Sequence, residues 1–182
     1  MYGIVNNAIE SLVRTNFGDE KWEIVLEKSN IGIDYFLNSQ TYDDTVTYAL
    51  AAAVSEVNQM PIGEVFRVFG EWWILKTGQE KYGFLLESGG DNLKDFLIGL
   101  PDFHNRIMLI YPKLTPPEFR TSDLNGNSIH LHYYSKRTGL QEFVHGLITG
   151  LGIFFKVPVQ VTIIASREDN NDHEIFKISW QE

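Results

Sequence analysis

The chain contains no cysteine. Disulfides, thiolate nucleophiles and cysteine-held zinc or iron–sulfur sites are thereby excluded. No apolar run approaches the roughly eighteen residues that a membrane-crossing helix needs, and Met1 to Asn7 lacks the charged-then-apolar pattern of a secretory leader. A soluble, cytoplasmic protein with no membrane association is expected. Positive charge is scarce: 15 Lys and Arg against 24 Asp and Glu leave a net charge of -9, which repels a phosphate backbone and argues against nucleic acid as a partner. A Gly-rich phosphate loop, His-Glu-x-x-His and Gly-x-Ser-x-Gly are also missing, so hydrolysis and phosphoryl transfer have little to build on and no enzymatic activity is expected. Neither a repeat nor a linker interrupts the 182 residues. One domain, 1–182, is expected, long enough to bury roughly 70% of its unfolded surface.

What is present is helical first and strand-like later. Ile4, Val5, Ala8, Ile9, Leu12 and Val13 recur at helical spacing up to Gly18, and a second helix covers about Asp19 to Lys28 around Trp22, Val25 and Leu26. Asn30 to Tyr42 reads as irregular. Asp43 and Asp44 are both suited to cap a helix with Val46, Leu50, Val54 and Val57 on its apolar face. Pro61 starts another, with Val65, Phe66, Phe69, Trp72 and Trp73 on its buried side, and Gly78 to Glu87 is a further short helix. Phe119 to Thr121 and Ser128 to Ser135 flank an Asn-Gly turn, and Val157 to Ser166 pairs with His173 to Trp180 in a closing hairpin. The class is α+β, with N-terminal helices followed by helices packed on a C-terminal antiparallel sheet.

The chain is organised around Asp91 to Pro112, which reads as a helix with Asp91 as N-cap and a kink where Pro101 opens a second segment. Steps of three and four from His104 meet Leu97, Leu100, Ile107, Met108 and Tyr111, so the imidazole lies on the apolar stripe. Such a histidine is either a neutral core residue bonded to a backbone carbonyl or a ligand to iron, which wants a neutral imidazole in a dry wall. About thirty residues on, Tyr133-Tyr134-Ser135-Lys136-Arg137 ends a strand-like run. On a period of two, Tyr133, Ser135 and Arg137 share a face with Ile129 and Leu131, bringing two hydroxyls and a guanidinium to the edge of an apolar surface. That set suits a pair of carboxylates.

The Tyr-x-Ser-x-Arg spacing after a helical histidine resembles the haem-nitric oxide/oxygen-binding (H-NOX) domain family. The likeness extends to Met1-Tyr2-Gly3-Ile4-Val5, Phe69-Gly70-Glu71-Trp72-Trp73, Pro116-Pro117 and the Gly139-Leu140 to Gly152 helix. The resemblance implies haem b (iron protoporphyrin IX) buried between a distal helical part, about 1–60, and a proximal part, about 61–182. It implies His104 as the proximal iron ligand and Tyr133, Ser135 and Arg137 as the clasp for the haem propionates. It further implies that Pro117 and Val5 press the haem from its two faces, and that Trp73 and Phe143 lie in the distal pocket.

Oxygen-binding members of the family carry a distal tyrosine that donates to the gas. The nearest matching position here is Phe143, which has no donor, so nitric oxide is the implied ligand, with carbon monoxide second. Release of the His104 tether would let the distal part shift, and a partner acting in trans would read the change, the chain having no effector domain after Glu182. The resemblance implies a sensor histidine kinase or a cyclic-di-GMP enzyme. The competing class is a non-enzymatic module that binds an apolar organic ligand or lipid.

Three features stand apart from this reading. His130 and His132 fall on the strand face opposite the triplet and resemble half of a metal site, with no third ligand suggested nearby; exposed polar residues are the expected account. His173 is expected to be solvated in its acidic turn. Gly146, Gly150 and Gly152 invite a close approach, by another helix or by a flat ligand.

Overall fold

The computed structural model describes residues 1–181; Glu182, where the 1–182 range closes, lies outside them. Helix α1 (Gly3–Phe17) stops at Gly18, whose φ of 89° no β-carbon-bearing residue adopts cheaply. Helix α2 (Asp19–Ser29) follows directly, with Asp19 and Glu20 in the first turn, where the helix dipole favours acids. Helix α3 (Asp44–Asn58) is capped by Asp43, whose carboxylate accepts from the Thr45 amide at 2.9 Å. Asp44 is no cap; its side chain points elsewhere, as described below.

Helix α4 (Ile62–Trp72) starts after Pro61 and runs through a π-helical turn (Trp73–Gly78) into α5 (Gln79–Glu87). The wide turn was not foreseeable from apolar spacing. Asp91 to Pro112 is two helices, not one kinked helix: α6 (Leu93–Ile98) and α7 (Leu100–Ile110), separated at Gly99. The cap is Asn92 in place of Asp91, because the Asn92 side-chain Oδ1 accepts from the Asp95 amide at 2.9 Å. Pro101 is the second residue of α7, still within the first turn, where a missing N–H costs nothing.

Strands β1 (Glu118–Asn125), β2 (Ser128–Tyr134), β3 (Val159–Ala165) and β4 (Glu174–Trp180) form an antiparallel sheet of order β1-β2-β4-β3, with α8 (Gln141–Phe154) between β2 and β3 in the chain. Among the described residues no helix is long and apolar enough to cross a membrane.

Two hydrophobic cores result. One joins α1 to α4 through Leu12, Trp22, Leu50, Val54 and Phe66. The other joins α6, the sheet and α8 through Leu97, Leu131, Ile148, Phe176 and Ile178. Helix α8 seals against α4 on its glycine face. A β-carbon on Gly146 would lie 2.0 Å from the Arg67 carbonyl oxygen, and one on Gly70 2.2 Å from that of Phe143. The glycines at Gly146 and Gly150 therefore admit a helix, and Gly152 admits Val157 and Val159. The adjoining aliphatic face of α8, with Val144, Leu147 and Leu151, remains available for something else.

Candidate functional site

That face lines a cavity of about 470 Å³ between the two cores. Its walls are mostly aliphatic and aromatic: Leu97, Leu100, Ile107, Leu131, Val144 and Leu151 among others. The charged side chains lining it are Lys113 and Arg137, both cationic, in a chain of net charge -9. An amphiphile with anionic groups at one end matches that distribution.

Val5, Trp73, His104, Pro117, Phe143, Tyr133, Ser135 and Arg137 all line this one cavity. Val5 reaches it from α1, packed on the N-terminal core. Trp73 stands on the π-helical turn and Phe143 on α8, and each ring rests against Phe69, with centroids 6.2 and 5.1 Å away. Pro117 comes from the loop between α7 and β1.

His104 answers both descriptions of it at once. Its Nδ1 lies 3.0 Å from the Leu100 carbonyl oxygen, one turn back on α7, which is the bond of a satisfied core histidine. That bond occupies only one nitrogen. With Nδ1–H donating to Leu100, Nε2 keeps its lone pair, and the ring, stacked on Phe119 at 5.5 Å, borders the cavity. Burial pushes the His104 pKa down, and the Leu100 carbonyl only partly opposes it, so the imidazole is neutral at pH 7. A backbone carbonyl behind a neutral ring is the arrangement that orients a metal-ligating histidine.

Strand β2 ends at Tyr134, so the alternation that brings Tyr133 inward does not extend to Ser135 and Arg137. They reach the cavity through a loop. Ser135 Oγ accepts from the Arg137 amide at 3.1 Å. Tyr133 is 3% exposed; burial raises its phenol pKa, and a bond to Ser135 partly offsets the shift.

The Arg137 guanidinium is aimed by groups the sequence did not point to. Nε donates to Asp44 Oδ2 at 2.7 Å and Nη1 to the Thr115 carbonyl at 3.0 Å. The reading of Asp44 as a helix cap is thus corrected: Asp43 caps, and Asp44 spans to Arg137. Partial burial pushes the Asp44 carboxyl up, but the Met1 ammonium, 2.6 Å away, and Arg137 outweigh it and hold it below its ordinary range.

A tyrosine cluster at the end of α7 was also missed. The Tyr82 and Tyr111 hydroxyls are hydrogen-bonded, Tyr111 packs edge-on against Tyr2 at 4.7 Å, and the Tyr2 hydroxyl accepts from the Lys113 amide at 3.0 Å. Only the spacing of Tyr111 on the stripe of His104 hinted at it.

On the outer face of the sheet, the expectation for His173 fails. Its ring stacks on Tyr134 at 4.0 Å, its side chain is 12% exposed, and its Nε2 lies 2.8 Å from His132 Nδ1. A third histidine therefore joins His130 and His132, yet among the described residues no group of three or more His, Cys, Asp or Glu could hold a metal ion.

The residues present fit haem on these grounds: a neutral imidazole with a free lone pair in one apolar wall, and a guanidinium with two hydroxyls at one end. Comparison with known proteins agrees. A family model described as Haem-NO-binding matches residues 2–163. The chain is 32% identical over 152 residues to the soluble guanylate cyclase gcy-32 of Caenorhabditis elegans, covering 81% of this chain and 22% of that protein. It is 25% identical over 182 residues to gcy-31 of the same organism, covering 99% and 26%. The chain therefore spans about a quarter of the length of these curated relatives. Among solved structures, the crystal structure of an H-NOX protein from S. oneidensis in the Fe(II)NO ligation state superposes with a TM-score of 0.90 over 100% of both chains at 23% identity. The fold is shared.

Proposed function

The chain belongs to the Haem-NO-binding family, the H-NOX domains of haem-based gas sensing, and from that premise we propose that it holds haem b and responds to nitric oxide. The observation that carries this reading is the free Nε2 of a neutral His104 in the wall of a cavity whose lining charges are all positive. Bound ferrous haem would supply an iron that coordinates nitric oxide, and carbon monoxide as a second ligand.

The chain's own residues would do the rest. His104 holds the iron. Tyr133, Ser135 and Arg137 hold the propionates, with Arg137 kept in place by Asp44 and the Thr115 carbonyl. Pro117 and Val5 shape the cavity, while Phe143 offers no donor to a bound gas, which disfavours oxygen; Trp73 carries the one indole N–H of the pair. His104 is the route from iron to backbone, and α7 is the element it would move. The layer α1 to α3 reaches the same region through Val5 and through Asp44 on Arg137, so it would shift when His104 is released.

A sensor needs a partner that tells its two states apart. A sensor histidine kinase or a cyclic-di-GMP enzyme in trans is the proposed partner. The relatives' own names point to a third output of the same kind, a nucleotide cyclase.

The test is spectroscopic. Purified protein is expected to show a Soret band, to stay deoxy in air when reduced, and to change spectrum with nitric oxide. His104→Gly should lose the ligand and recover it with added imidazole. A colourless protein that instead carries a lipid or other apolar ligand would sink the proposal, and a stable oxy spectrum would overturn the argument from Phe143.

A further inference from the structure

Behind the clasp lies a second guanidinium. Arg167 sits on the short 3-10 turn Arg167–Asp169 between β3 and β4 and is turned back toward the loop that carries Ser135 and Arg137. Its Nη1 donates to the Ser135 carbonyl and its Nη2 to the Arg137 carbonyl, each at 2.8 Å, while Nε donates to Glu174 Oε1 at 2.7 Å. The turn is itself pinned, since Ser166 Oγ accepts from the Glu168 amide and the Ser166 carbonyl accepts from the Asn171 side chain.

Glu174 is 2% exposed and faces inward on β4, directly across from Tyr133. Its Oε1 is paired with Arg167; its Oε2 is buried with no hydrogen-bond partner. A half-satisfied buried carboxylate beside a site for anions is costly and repels what the site is meant to receive. Arg167 counters both effects. It neutralises the carboxylate and, with the other arm of its planar fork, fixes two carbonyls two residues apart in a loop that has no ladder to hold it.

We infer that Arg167, with Glu174, is the positioning residue of the clasp: it sets where Ser135 and Arg137 stand and screens the Glu174 charge from the carboxylates they bind. The inference rests on the proposed haem function, but the brace itself is a property of the bare chain. Nothing local in the sequence links residues 167 and 174 to residues 135 and 137.

The experiment compares wild type, Arg167→Met, Arg167→Lys, Glu174→Gln and the double variant Arg167→Met/Glu174→Gln. In the haem-free protein, Arg167→Met should speed hydrogen exchange at the Arg137 amide while leaving the Leu131 amide on β2 unchanged. In the haem-loaded protein it should speed haem loss to a scavenging globin about ten- to a hundredfold, since charge-assisted contacts to the clasp loosen. It should also shift the propionate-bending bands in the resonance Raman spectrum. Adding Glu174→Gln should restore part of the retention by removing the bare charge. Arg167→Lys should restore less, because one ammonium cannot serve both carbonyls and Glu174. Unchanged Arg137 exchange and unchanged haem loss in a folded Arg167→Met protein would overturn the inference. If Arg167→Met does not fold, Arg167→Lys carries the test: it keeps the charge beside Glu174 but cannot hold both carbonyls, and unchanged Arg137 exchange and haem loss in it would equally overturn the inference. A wild-type protein that takes up no haem would sink the proposed function instead, while the exchange measurement would still decide the brace.

Discussion

Helices α8 and α7 both face the cavity, and they are held in opposite ways. Val144, Ile148 and Leu151 on α8 are almost fully buried, and backbone meets backbone where α8 crosses α4 at Gly70 and Gly146. On α7 only Leu100 is buried, while Leu109 is 83% and Ile110 52% exposed. Helix α7 is held by separate side-chain contacts, Phe103 on Phe96, His104 on Phe119 and Tyr111 in the tyrosine cluster. A packed seam resists displacement because any shift opens gaps or clashes. A helix whose apolar stripe looks into a cavity meets little such resistance. The difference teaches that the fold separates the element that gives rigidity from the element that carries His104.

Truncating an anchored residue and a suspended one should show this most strongly. Ile148→Ala, at a position 2% exposed on α8, should cost about 2–5 kcal/mol in urea denaturation of the haem-free protein, whereas Ile107→Ala on the cavity side of α7 should cost about 1 kcal/mol or less. Equal costs would erase the contrast.

The seam can be attacked directly. Gly146→Ala places a methyl group 2.0 Å from the Arg67 carbonyl oxygen and should cost roughly 3 kcal/mol. Gly83→Ala on α5, with nothing within 4 Å, should stabilise by about 0.5–1 kcal/mol. A tolerated Gly146→Ala would mean that α4 and α8 can slide apart and that the seam is not the rigid partner.

The smallest expected effect concerns acid. His132 has its pKa lowered, by burial first and then by His173 and His130, so the unfolded chain takes up this proton before the folded one does. Stability should therefore decline as the pH falls below about 6.5, the ordinary histidine value. His104 is shifted the same way by burial. His132→Gln should flatten the slope of stability against pH. A slope unaffected by this change would assign the acid response to His104 or to His145 on α8, whose pKa burial also lowers.

Much of the site was legible because its parts are local patterns. His104 falls on an apolar stripe by spacing within one helix, and Tyr133 faces inward by strand alternation. The glycines of α8 announced a close approach but not by what, since sterics specify the vacancy and not its occupant. Asp44 was misread for the same reason: next to Asp43 it looks like a cap, and its true partner Arg137 lies 93 residues away. His173 looked solvated because acidic neighbours surround it in the chain, whereas the antiparallel pairing of β2 with β4 brings it under Tyr134 and beside His132. One cap slipped by a single residue, from Asp91 to Asn92, because two adjacent residues can both accept an amide and only the geometry selects one.

By itself, then, the sequence determined the helices, the two hairpins, the apolar face that carries His104 and the absence of any thiol chemistry, since periodicity and composition act over a few residues. Only the tertiary structure decided that α4 rather than a ligand fills the glycine face of α8, that a cavity is left between two cores, and that Asp44 pairs with the Arg137 side chain while Arg167 bonds the Ser135 and Arg137 carbonyls. Those pairings join charges and backbones distant in the chain, and no local pattern records which distant group will arrive.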